Sequence, residues 1–88
     1  MNRSDSLKQD VCGAIDSARG RIVEIGEAIM DAPELGFKEH RTADRVRGTL
    51  EELGLELEDG LAITGVKAVL RGGQPGPTVA LMGELDAL

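Results

Sequence analysis

The run Thr78-Val79-Ala80-Leu81-Met82 is apolar at nearly every position. A strand with one wet face alternates apolar and polar side chains, whereas a strand covered on both faces does not. The run therefore predicts a strand inside a sheet, with a layer on each side of it. It leads into Gly83-Glu84-Leu85-Asp86-Ala87-Leu88, which sets two carboxylates at the far end of that strand, where α/β proteins gather their functional groups. A chain of 88 residues supplies little to cover both faces. The expected fold class is α/β, an opening α-α-β-β-β segment of a layered domain whose sheet is incomplete in this chain. Residues 1–88 then form the N-terminal part of one larger domain.

Upstream, Leu7, Val11, Ala14, Ile15, Ala18, Ile22, Ile25 and Ile29 recur at steps of three and four and predict one long amphipathic helix. Ser6 followed by Gln9 fits a capping box, and Asp5 places negative charge near the positive end of the helix dipole. A break or bend is expected near Gly20, and Pro33 ends the helix by pushing Ala32 out of helical space. Ala43, Val46, Leu50 and Leu53 predict a second helix, with Gly54 suited to a left-handed C-terminal cap. Leu55 and Leu57 alternate with Glu56 and Glu58 as a short strand that Asp59-Gly60 closes with turn chemistry. Val66 to Arg71 predicts the next strand, and the loop Gly72-Gly73-Gln74-Pro75-Gly76-Pro77 returns the chain into Thr78–Met82 as its antiparallel partner. That loop is no phosphate cradle: two of its positions lack an N–H donor, and no Gly-Lys-Ser/Thr follows.

Composition excludes several classes of partner. A formal net charge of -6 opposes both nucleic acid and anionic membrane surfaces, and the basic residues lie scattered among acids as a solvated helix face would have them. The N-terminus lacks the apolar stretch of a secretory signal, and no run approaches the roughly 20 apolar residues that span a bilayer. A soluble, cytoplasmic protein is expected. Phe37 is the only aromatic residue, so the core is aliphatic and thin. Cys12 is the only cysteine, which forbids an internal disulfide, and its place beside the apolar stripe marks it as reduced and half-buried.

Glu84 and Asp86 carry the chemistry, if any residues of this chain do. Two positions apart on an extended chain, their side chains point to the same side, roughly 6 to 7 Å from each other. Such a pair binds a hard metal, orients a metal-bound histidine or forms an acid/base couple; the plain alternative is an acidic strand end facing solvent. His40, the only histidine, sits among Lys38, Glu39 and Arg41 and reads as exposed rather than as a ligand. Glu34 and Glu39 read as an acidic lead into the second helix. One His and one Cys assemble no nucleophilic triad.

Asp31-Ala32-Pro33-Glu34-Leu35-Gly36-Phe37-Lys38-Glu39-His40-Arg41-Thr42-Ala43, then Leu53-Gly54-Leu55, then Thr64-Gly65-Val66, then the Arg71–Pro77 loop and the Glu84-Leu85-Asp86-Ala87-Leu88 ending stand in an order that resembles the opening of the M20 family. The similarity is to its amidohydrolase branch, which holds hippurate hydrolases, aminoacylases and aminobenzoyl-glutamate hydrolases. The resemblance lies in the ordered set of motifs rather than in any one of them.

The resemblance implies the N-terminal part of an α/β metallohydrolase catalytic domain, with the smaller lid or dimerisation domain absent. It implies one or two divalent ions, zinc, manganese or similar, in the complete protein, polarising a scissile amide and activating water. N-acyl amino acids or small peptides would be its substrates. By position, Asp86 matches an aspartate that orients a metal-bound histidine, and Glu84 stands where many M20 peptidases have that histidine, as a further acid near the metal, with direct ligation as the alternative. The ligands and the general base of the family belong to later motifs that these residues do not include. No residue here is then catalytic or a direct metal ligand, no cofactor is bound by this chain, and the chain alone is expected to be inactive. The rival reading is a small noncatalytic interaction module that pairs with a partner or with itself through its open strand edge.

Overall fold

A computed structural model describes residues 2–87. The elements run α1 (Arg3–Ser17), α2 (Arg19–Asp31), α3 (His40–Glu52), β1 (Glu56–Leu61) and β2 (Gly65–Val69). The chain divides after Ala32 into two units, the first holding α1 and α2 and the second everything from Pro33 onward.

In the first unit the helical periodicity holds from end to end, but the helix is interrupted at Ala18, two residues before Gly20. Ala18 sits at φ -93°, ψ 4°, and its N–H is shared between the carbonyls of Ala14 and Ile15. The Ser17 hydroxyl donates back to the Gly13 carbonyl at 3.0 Å, a competition that bends helices and that falls here between two glycines. The N-terminal cap is Asn2 rather than Ser6: the Asp5 N–H donates to Asn2 Oδ1 at 2.8 Å and the Ser6 N–H to the Asn2 carbonyl at 3.1 Å. Ser6 is thus already helical, while Asp5 keeps its expected place in the first turn. Pro33 ends α2 at Asp31 as expected. Cys12 is exposed, not half-buried, since Leu7, Val11 and Ile15 beside it are themselves about half exposed.

The second unit is built around α3. Its C-terminus closes with the Leu55 N–H on the Leu50 carbonyl and the Gly54 N–H on the Glu51 carbonyl, with Gly54 at φ 74°. This is the paired hydrogen bonding of a Schellman motif, whose left-handed position glycine fills without strain. β1 and β2 then form an antiparallel hairpin that pairs Glu56 with Val69, Leu57 with Ala68, Glu58 with Lys67 and Leu61 with Gly65. Leu55 and Leu57 are partly covered and Glu56 and Glu58 exposed, the alternation that the sequence predicts.

Two expectations for the sheet are corrected. Asp59-Gly60 does not end the strand; it lies in an irregularity between Glu58 and Leu61, with Gly60 at φ 70°, and the turn falls at Ala62-Ile63-Thr64. The partner of β2 is β1, not Thr78–Met82, which is neither strand nor covered: Val79, Leu81 and Met82 are 83%, 99% and 97% exposed. The physical reason is the one that marks the run out in sequence. Pairing one edge satisfies backbone groups but leaves a uniformly apolar strand wet on two faces. The helical and two-strand elements still make the open α/β segment that the pattern predicts. Among the described residues Ala43 is the one buried apolar side chain, so the core is thinner even than composition suggests.

Candidate functional site

The connection Pro33–Glu39 sets the geometry around the acidic segment. Glu34 turns back onto the start of α3: its Oε1 accepts the Thr42 N–H at 2.7 Å and the Thr42 hydroxyl at 2.8 Å, and its Oε2 accepts the Arg41 N–H at 3.4 Å. A helix leaves its first N–H groups without intrahelical partners, and a carboxylate there also meets the positive end of the dipole. The Thr42 hydrogen bonds hold the Glu34 carboxyl below the ordinary carboxylate range, with the Arg41 amide and charge assisting.

Glu39 works in the other direction. It is 6% exposed, and its Oε1 accepts the neighbouring Lys38 N–H at 2.9 Å while its Oε2 accepts the hydroxyl of Thr64, equally buried, at 3.0 Å. Both oxygens of a buried carboxylate are thereby satisfied. The bond fastens the hairpin turn to the start of α3. Next to Thr64, Gly65 has no room for a side chain, because a Cβ would lie 2.5 Å from the Leu61 carbonyl oxygen. The motifs Pro33–Glu39 and Thr64-Gly65, separate in sequence, meet in space. Reading Glu34 and Glu39 as an acidic lead into a helix captures the first and misses the second, whose only sequence signal is the coincidence of a glutamate and a Thr-Gly pair.

Glu84 and Asp86 lie in no helix or strand, and both are exposed. Leu85 and Ala87 between and beyond them are partly covered, so burial alternates and the two carboxylates share the open side. The Ala87 N–H donates to the Glu34 carbonyl at 2.9 Å, which brings the acidic segment to the connection before α3. Leu88, the last residue of the motif, lies outside the described residues, as does Met1. His40 is exposed, as expected, and borders an open depression of about 340 Å³ between α3 and the hairpin, where Arg47 pairs with Asp44 and Asp59, each at 3.6 Å. Among the described residues no three His, Cys, Asp or Glu side chains come together as a metal centre needs, so these residues do not fit a divalent ion, and no chemical step is assigned to one. Among the same residues no helix is long and apolar enough to cross a membrane.

Comparison with known proteins gives a consistent answer. The chain is 40% identical over its whole length to thermostable carboxypeptidase 2 of Saccharolobus solfataricus, covering 22% of that protein. It is 35% identical, over 94% of its length, to putative amidohydrolase YhaA of Bacillus subtilis, covering 21% of it. It is 37% identical, over 80% of its length, to hippurate hydrolase of Campylobacter jejuni, covering 18% of it. The chain thus spans about a fifth of the length of the curated relatives it matches. No family model and no solved structure matches it. Identities of 35–40% to proteins named carboxypeptidase, amidohydrolase and hippurate hydrolase are consistent with a segment of an M20-type amidohydrolase, the family that the ordered motifs resemble.

Proposed function

We propose that the chain is the N-terminal part of the catalytic domain of a metal-dependent hydrolase that cleaves the amide bond of N-acyl amino acids or small peptides in the cytoplasm. The lid or dimerisation domain and the metal ligands lie outside these residues. The observation that carries the reading is the 35–40% identity of the chain, over 80–100% of its length, to proteins named carboxypeptidase, amidohydrolase and hippurate hydrolase. In a complete enzyme Asp86 would orient a metal-bound histidine, and Glu84 would add negative charge beside it. The shared open side of the two carboxylates supports those roles.

The segment alone is inactive on this reading. The test is to assay the purified chain on hippurate and on a small peptide with added Zn²⁺ or Mn²⁺. Hydrolysis no faster than buffer with metal is expected; turnover that a chelator abolishes would overturn the claim.

A second reading is favoured by the exposure of Val79, Leu81 and Met82 together with the unpaired outer edge of β2. On it the chain is a noncatalytic module that pairs edge to edge with a second copy. Light scattering on a sizing column separates the two: a stable, monodisperse dimer supports the module, and a partly folded or aggregating species supports the hydrolase segment.

A further inference from the structure

We propose that Glu34 is a positioning residue that holds the acidic segment Glu84–Asp86 against the start of α3. It does so with two different groups. Its carboxylate takes the Thr42 N–H and hydroxyl and, at longer range, the Arg41 N–H, so the side chain is fixed to the first turn of the helix. Its backbone carbonyl takes the Ala87 N–H at 2.9 Å. One residue thus joins the most regular element of its unit to a segment that has no strand partner.

Among the described residues, the Ala87 bond is the one hydrogen bond that links residues 72–87 to the rest of the chain. Its local effect is visible in burial: Val79, Leu81 and Met82, upstream of the tie, are almost fully exposed, whereas Leu85 and Ala87 beside it are partly covered. Covered and open positions alternate along the segment, Leu85 and Ala87 being partly covered and Glu84 and Asp86 exposed, so the two carboxylates fall on the open positions. The direction in which the carboxylates are presented is therefore set where the chain is tied, and the tie is placed by the cap on α3. The importance of that direction for catalysis rests on the hydrolase reading above; the tie itself does not.

The test uses amide hydrogen exchange on the ¹⁵N-labelled chain, with the β1–β2 amides as internal reference. The carbonyl of residue 34 is present in every variant, so only its placement is changed. Glu34→Ala is expected to lower Ala87 protection about fivefold, the exchange equivalent of losing a helix cap, with the hairpin amides little changed. Glu34→Gln, which keeps an acceptor oxygen for the Thr42 N–H, is expected to restore most of it. Thr42→Val, which leaves Glu34 in place and removes one donor, is expected to give a smaller loss in the same direction. Unchanged Ala87 protection in Glu34→Ala would overturn the proposal, and so would equal losses at Ala87 and in the hairpin for all three variants, the mark of general destabilisation. Those failures would leave the hydrolase reading standing, and hydrolysis by the isolated chain would sink that reading while leaving the tie intact.

Discussion

Glu39 and Thr64 show how much a single side-chain pair contributes to this small structure. Replacing Thr64 by valine leaves one oxygen of a buried carboxylate without a partner, which is expected to cost about 1–3 kcal/mol in chemical denaturation. Glu39→Ala combined with Thr64→Val is expected to cost less than the sum of the single changes, because each alone strands the other residue. Gly65→Ala forces a Cβ against the Leu61 carbonyl and is expected to cost about 1–3 kcal/mol, with the hairpin amides losing exchange protection first. Glu34 gives a pH signature. Its folded pKa is depressed, so its stabilisation is fully present above the unfolded carboxyl value of about 4.3 and is lost as pH falls through the lower folded value. Glu34→Gln is therefore expected to reduce stability at neutral pH and to flatten the loss between neutral pH and pH 3 (about one unit below that value), as read by urea midpoints. The identity of these residues is legible in sequence as an ordered motif set. Their connections are not, because a bond such as Glu39 to Thr64 depends on the hairpin turn falling at Ala62–Thr64, and the Asp59-Gly60 pair points to a turn in the wrong place.

At the scale of elements, periodicity is the dependable signal and boundaries are where local chemistry intervenes. The stripe from Leu7 to Ile29 gives the helical character of α1 and α2 correctly. The interruption at Ala18 follows from the Ser17 hydroxyl on the Gly13 carbonyl, which no apolar pattern records. The C-terminus of α3 is legible because it depends on one residue. Gly54→Ala places a side chain at φ 74° and is expected to destabilise the unit by about 1 kcal/mol, with loss of exchange protection at Leu55, whose N–H closes the motif. The third strand marks the limit of the reading. Thr78–Met82 has the sequence of a strand buried on both faces, and the context that makes it one is absent among the described residues. Strand propensity is a fit to a covered surface more than a preference of the backbone, so an uncovered run forms no strand.

For the whole molecule, the same shortage of cover bears on function. Ala43 is the one buried apolar side chain among the described residues, and Leu35, Phe37, Ile63, Leu70, Leu81 and Met82 are more than half exposed. Polar ties, Glu34 to α3 and Glu39 to the hairpin turn, hold the second unit where burial does not. The similarity of these residues to about a fifth of each of several hydrolases accords with that: a segment of this length carries its own connections but little core. The acidic segment is legible in sequence as a candidate site, whereas the metal centre is not, since these residues do not compose one. The central claim is that the chain's function belongs to a longer hydrolase. Sequencing the source DNA past the Leu88 codon tests it most directly. An open frame that soon encodes a Cys-Gly-His segment is the predicted result, and a stop codon with no such segment in any nearby frame would contradict it.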